Sequence, residues 1–160
     1  MLQEKNITIL VELQEVVSDM KKRYWNVNKQ IKQTEHLLHE QRELIEQSEK
    51  YLKYRPIYKA YTKTKAKKQD AYYNQYTTEI ILYQSAEQYL KEHLKEDKTL
   101  KLKTWKEEIE HLTSQKNSLY EEVRKLKMEV QEAEAVKKCV EQVLQAGQEK
   151  EQTKQKHIEL

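Results

Sequence analysis

In 160 residues the chain has one proline, one glycine, one cysteine and no phenylalanine. Each scarcity excludes something. With Gly147 as the sole glycine, a glycine-rich loop cradling phosphates cannot be built. With Cys139 as the sole cysteine, no intrachain disulfide can form. A free thiol in a long chain fits a reducing compartment, so a cytoplasmic location is expected. No stretch approaches the roughly 20 apolar residues that span a bilayer, so no membrane partner is expected. The first residues lack a basic stretch followed by an apolar run, and no signal peptide is expected.

What the chain does have is charge and period. Charged residues make up 36% and apolar residues 37%. This composition belongs to long helices and coiled coils. The apolar residues are spaced rather than diluted, which argues against disorder. A 3-4 spacing runs through Leu10, Leu13, Val17, Met20, Tyr24, Val27, Ile31, Thr34, Leu38, Gln41, Ile45, Ser48 and Leu52. A second stripe is Tyr73, Tyr76, Ile80, Tyr83, Glu87, Leu90 and Leu94. The third runs from Leu102 and Trp105 through Ile109, Leu112, Lys116, Leu119, Val123, Leu126, Val130, Ala133, Lys137 and Val140 to Leu144. A strict seven-residue repeat implies left-handed supercoiling with knobs-into-holes packing.

The lone proline sets the expected punctuation. Pro56 lacks a backbone N–H and disfavours α conformation at Arg55, so the first helix is expected to end there and the second to begin at Pro56. Asn6 is the expected first cap, and Lys95-Glu96-Asp97-Lys98 the second turn. The third helix is expected to start at Thr99, with Thr104-Trp105-Lys106-Glu107 as an alternative capping box. Gly147 is the natural residue just past its end. Short connections force antiparallel neighbours. The expected fold is therefore all-α: a long antiparallel up-down-up three-helix coiled-coil bundle over 1–147, with helices at about 4–54, 56–95 and 99–146, and a frayed, disordered polar tail at 148–160.

The formal charge of +3 hides a local excess. Between residues 50 and 68 stand Lys50, Lys53, Arg55, Lys59, Lys63, Lys65, Lys67 and Lys68, with no Asp or Glu. That segment carries +8, leaving 22 cations against 27 carboxylates elsewhere, a net of −5. A local positive patch on an acidic body suits a polyanion or an acidic protein face. Tyr54, Tyr58 and Tyr61 interleave with these cations. Cations on phosphates release counterions and tyrosines stack on unpaired bases, so Lys53, Arg55, Lys59, Lys63, Lys65, Lys67, Lys68 and Tyr58 form the candidate DNA-binding set, for single strands or non-specific sites. The bland alternative is a solvated helix face whose tyrosines pack on the first helix.

Other constellations carry less. His36 and His39 stand three apart, and Glu108-Ile109-Glu110-His111 contains one Glu-x-x-His step, but a di-iron bundle needs two such steps and two further carboxylates. No metal and no cofactor are expected. Tyr72, Tyr73, Tyr76 and Tyr83 have no histidine near them in sequence to activate a nucleophile and read as core tyrosines. Cys139, beside seam residue Val140, reads as a small apolar filler. No catalytic residue is assigned, and the chain is not expected to be an enzyme.

One resemblance adds to this reading. Pro56-Ile57-Tyr58-Lys59-Ala60-Tyr61, a Lys-rich step, Tyr72-Tyr73, then Glu79-Ile80-Ile81-Leu82-Tyr83-Gln84-Ser85-Ala86 and Tyr89-Leu90-Lys91 form one pattern, continued by Leu102-Lys103-Thr104-Trp105-Lys106-Glu107-Glu108. The pattern resembles the C-terminal helical region of relaxases, the mobilisation nucleases of conjugative plasmids and transposons in Firmicutes. It covers 51–144 and, more loosely, the first helix. The resemblance implies a non-catalytic accessory region supporting DNA transfer, through the DNA backbone or through other mobilisation proteins. The family's nicking domain, with its catalytic tyrosine and His-x-His metal cluster, has no counterpart here, so none of its nicking residues carries over. The competing reading is a coiled-coil scaffold or oligomerisation protein with no nucleic-acid role. It rests on the three stripes and on Leu2, Ile9, Val16, Leu37 and Leu44, apolar residues off the main stripe that suit a homodimer.

Overall fold

The computed structural model describes the backbone of residues 2–94 and 97–158 and the side chains of 4–94 and 97–152. Among these residues the chain is all-helical, without a strand: α1 (Leu2–Lys63), α2 (Ala66–Gln75), α3 (Thr77–His93) and α4 (Leu102–Ile158).

The punctuation differs from the sequence expectation in five places. First, α1 does not end at Arg55; it carries Pro56 in its interior. An interior proline costs about 3 kcal/mol. Ring stacking by Tyr58 and Tyr61, described below, requires helix beyond the proline and offsets that cost. The break comes at Thr64 and Lys65 instead. There the Thr62 hydroxyl donates to the Lys59 carbonyl at 2.9 Å and the Thr64 hydroxyl to the Ala60 carbonyl at 2.6 Å, bonds that compete with the ladder. Lys65 is extended, with φ −61° and ψ 143°. Second, the expected helix 56–95 is divided among the end of α1, α2 and α3, the last two meeting at Tyr76, whose φ of −118° and ψ of 29° make a kink. The hydrogen bonds continue through it, Tyr76 N–H to Tyr72 O and Ile80 N–H to Tyr76 O, both 3.0 Å. Third, α1 begins at Leu2, so Asn6 lies inside the helix rather than at its cap.

Fourth, α4 begins at Leu102 rather than Thr99. The Asp97 carboxylate accepts the Thr99 N–H at 3.0 Å and pairs with Lys101 at 3.1 Å, contacts that hold the chain out of helix before Leu102. Those two partners pull the Asp97 pKa down to about 2, Thr99 first and Lys101 next. Lys95 and Glu96 of the expected turn lie outside the described residues. Fifth, α4 passes through Gly147 and runs to Ile158, so the expected frayed tail is helical that far. One interior glycine costs only about 1 kcal/mol, and Gln, Glu and Lys, which fill 148–152, are good helix formers.

The chain divides into two units. In the first, Met1–Gln33 and Lys116–Leu160, the core gathers Val27, Ile31 and Leu126, flanked by Tyr24, Leu119 and Val123. Val17 is also buried. Outside this cluster, Lys21 reaches Glu134 at 2.6 Å and draws its carboxyl pKa down. Rising numbers on α1 thus meet falling numbers on α4.

In the second unit, Thr34–Gln115, the buried residues are Thr34, Leu38, Ile45 and Ser48 of α1, Ile80, Tyr83, Ala86 and Leu90 of α3, and Trp105 of α4. Each large apolar side chain fully buried here contributes roughly 1.5–3 kcal/mol. Ala86, not Glu87, carries the buried line of α3; Glu87 sits at its edge and pairs with Lys91 at 2.8 Å. Ser48 is fully buried and satisfied, its hydroxyl donating to the Leu44 carbonyl at 2.7 Å. The half-buried Gln41 amide donates to the Glu108 carboxylate. No buried side-chain N or O is left without a partner among the described residues.

Candidate nucleic-acid interface

The candidate set lies at the corner where α1 gives way to α2. Helical spacing separates its two residue types. Tyr51, Tyr54, Tyr58 and Tyr61 recur at three and four residues and share one face of α1. Arg55, Lys59 and Lys63, each four apart, follow another line. Lys53, Arg55, Lys59, Lys63, Lys65, Lys67 and Lys68 are all exposed, whereas Tyr58 is half-buried.

The corner is held by hydrogen bonds that the sequence does not announce. Thr64 N–H donates to Tyr61 O at 3.1 Å. Lys68 and Gln69 N–H donate to Lys65 O at 2.9 and 3.1 Å. The Gln69 side chain reaches back to Tyr61 O at 3.5 Å, and the Tyr72 hydroxyl donates to Ile57 O at 3.1 Å. The last of these ties α2 to α1 one residue past the proline.

The tyrosine rings are committed to one another. Tyr58 stacks on Tyr83 with centroids 4.4 Å apart, and Tyr51 stacks on the same ring at 5.1 Å. Tyr61 meets Tyr72 at 6.2 Å and Tyr73 at 5.9 Å, and Tyr72 meets Tyr76 at 4.7 Å. Tyr58, assigned above to base stacking, thus has one ring face covered by Tyr83. Burial first, and then the Tyr51 hydroxyl, pushes the Tyr83 phenol well above the usual tyrosine range. Two cations also lie over rings: Lys53 is 5.3 Å from the Tyr54 centroid and Arg55 5.8 Å from that of Tyr51.

The charge count changes slightly. Lys50 pairs with Glu46 at 3.2 Å, so the free excess begins at Lys53. From there to Gln69 no carboxylate occurs, and Asp70 is the first. Sequence reasoning missed Tyr51 and Tyr83 as members of the site. The signal was present: steps of seven along α1 run Leu37, Leu44, Tyr51, Tyr58, a second apolar line beside the main seam.

A groove of about 480 Å³ elsewhere in the same unit is lined by Leu37, Glu40, Gln41, Leu44, Tyr89, His93, Glu108, His111 and Leu112. Its His93 ring stacks on Tyr89 at 3.9 Å and its Nδ1 meets the Tyr89 carbonyl at 2.8 Å. Burial, then Glu43 and Glu40, raises the Tyr89 pKa. His36 pairs instead with Glu40 at 3.0 Å. No three His, Cys, Asp or Glu side chains converge to hold a metal among the described residues. No helix among them is long and apolar enough to cross a membrane. No family model, curated protein or solved structure matches the chain.

Proposed function

We propose that the chain is a non-catalytic helical accessory region of a relaxase-type mobilisation protein, holding the DNA backbone during DNA transfer. The observation that carries the reading is the exposed row of seven cations from Lys53 to Lys68 with no carboxylate among them. Such a row releases counterions on a polyanion and reads charge, not sequence. The relaxase pattern over 51–144 gives that polyanion a context. The Tyr58–Tyr83 stack restricts the mode: the contacts are to phosphate, and base stacking by Tyr58 is not part of the reading. In the same reading the helices form an antiparallel up-down-up coiled-coil bundle. Burial of the 3-4 stripes supports it, as do the pairings Tyr51 and Tyr58 with Tyr83, Tyr61 with Tyr72, and Glu49 with Lys106 at 3.3 Å. The reading assigns the chain to the cytoplasm, where exposed Cys139 stays reduced.

The test is a fluorescence-anisotropy titration of short duplex and single-stranded DNA at two salt concentrations. Each phosphate contact contributes about −0.9 to the log–log salt slope on duplex and about −0.7 on single strands, so four contacts give roughly −3 to −4. Replacing Lys59, Lys63 and Lys67 with Ala is expected to flatten the slope by about two units while leaving the fold intact. Unchanged affinity in that variant rejects the surface. The transfer context is tested separately by the coding DNA. A nicking domain in frame, or mobilisation genes beside it, supports the reading, and a cytoskeletal or phage-structural neighbourhood overturns it.

The second reading, a coiled-coil scaffold without a nucleic-acid role, is favoured by the exposure of Ile7, Ile9, Val11, Val16, Val136 and Val143. It predicts no DNA binding by the parent protein at low salt.

A further inference from the structure

The unit formed by Met1–Gln33 and Lys116–Leu160 carries an apolar edge that its own two helices leave open. In an antiparallel heptad pair, residues just after the second seam position lie on one edge of both helices, and residues just before the first lie on the other. The Lys21–Glu134 ion pair marks the former edge. The opposite edge is made by Ile9 and Val16 on α1 and by Val136 and Val143 on α4. These are 45%, 45%, 52% and 61% exposed. Cys139 and Ala146, also exposed, stand one turn from Val136 and Val143 on the same face of α4.

We propose that this edge is the docking surface for a second copy of the chain, related by a two-fold axis that passes across α4 beside Cys139. The proposal does not depend on DNA binding. The sequence of the edge identifies the occupant. Steps of seven along α4 read Glu129, Val136, Val143, Lys150, a line symmetric about the point between 139 and 140. Laid antiparallel on itself, it sets Val136 against Val143 of the other copy and Glu129 against its Lys150. A two-fold interface needs such self-complementarity, because each contact occurs twice. A line of one charge sign, or a charge at the centre, would repel its own copy. Ile9 and Val16 flank this centre on α1; exposed Glu12 between them faces its own copy, a surface repulsion small enough to weaken the dimer without excluding it. The area is also of the right order. The 22 residues from Glu129 to Lys150 extend ~32 Å along the helix, and a face two helices wide gives ~600 Å² per copy, near the lower bound for a specific interface. A dimer that dissociates on dilution is therefore expected.

Light scattering on the full chain over a wide dilution range tests this. The parent is expected to move from the monomer mass of 19.5 kDa towards twice that value as concentration rises. Val136→Asp with Val143→Asp is expected to hold the monomer mass throughout, with an unchanged circular dichroism spectrum because both sites are exposed. Glu129→Lys is expected to weaken the dimer, and adding Lys150→Glu to restore it. A short bismaleimide, which adds one thiol at each end, is expected to link two parent chains through Cys139 and to fail on the double Asp variant. If that variant misfolds, the charge swap and the cross-link still decide. A concentration-independent monomer mass overturns the proposal and leaves the edge to a different protein or segment. A dimer unaffected by the Asp pair or by Glu129→Lys, or one that Cys139 does not link, overturns it as the wrong surface.

Discussion

Ile80 and Ile81 are adjacent, chemically identical and opposite in fate: 0% and 49% exposed. Replacing each with Ala gives a paired test of how α3 packs. Removing a buried isoleucine side chain down to Cβ costs about 2–5 kcal/mol, from lost transfer energy and from the cavity left behind. Ile80 stands among Tyr83, Ala86 and Leu90 on the buried line, so about 3–4 kcal/mol is expected. At roughly 2–4 °C per kcal/mol for a chain of this size, Ile80→Ala should lower the melting temperature by about 6–16 °C. Ile81→Ala should change stability by about 0.5 kcal/mol or less. Both changes gain the same helix propensity on going to Ala, so that term cancels in the comparison. Circular dichroism follows the helices, and Trp105 fluorescence in a Trp25→Phe background reports the Thr34–Gln115 unit alone, since Trp105 is buried within it. Equal shifts for the two variants, or a larger one for Ile81→Ala, would refute the packing of α3.

Two further outcomes follow from the corner. Pro56→Ala returns an N–H to the interior of α1 at an exposed position and should raise the melting temperature, since an interior proline costs up to about 3 kcal/mol and the looser unfolded chain returns only about 1 of it. A fall in melting temperature would mean that the proline ring itself packs. The raised pKa of Tyr83 fixes the sign of an alkaline effect: the native state keeps a proton that the unfolded chain releases near pH 10, so stability is full below pH 10 and falls as pH rises above it. Tyr83→Phe should lose less stability than the parent between pH 9 and pH 11 in urea melts, and an equal loss would detach the phenol from the transition.

The seams were legible because period is a local property repeated many times. Every position named on the α4 stripe is buried or half-buried. On α1 the stripe holds from Leu10 to Ser48 and fails at Leu52, which is exposed. The reason lies elsewhere in the chain: Lys106 pairs with Glu49, and α4 begins one turn earlier at Leu102, so Leu52 lies level with the first turn of α4 rather than within its length. The helix ends were read poorly for a related reason. Pro56 and Gly147 are strong local signals, but each costs only a few kcal/mol, and tertiary ring stacking or a run of good helix formers outweighs them. The true break, at Thr64 and Lys65, depends on hydroxyl groups bonding back to carbonyls, which sequence weights weakly. The cations of the candidate site were legible as a charge count. Their partition from the tyrosines was not, because it depends on Tyr83, more than twenty residues away.

That partition bears on what the corner can bind. Arg55, Lys59 and Lys63 repeat at four residues, where like charges on a helix destabilise it by about 0.2–0.5 kcal/mol per pair. Each aromatic pair contributes about 0.5–1.5 kcal/mol beyond its buried area. The stacks of Tyr51, Tyr58, Tyr61 and Tyr72 thus outweigh the repulsion along the cation line and keep α1 helical past its proline. The rings do so by turning towards α2 and α3, and the Tyr58 and Tyr61 faces used there are not available to a base. What remains outward is a row of positive charge, ordered before any ligand arrives, whose mutual repulsion a polyanion relieves on binding. On the proposed DNA-backbone reading, a surface of that kind discriminates by charge density rather than by base, so duplex, with two phosphates for each base pair, is expected to bind it more tightly than a single strand.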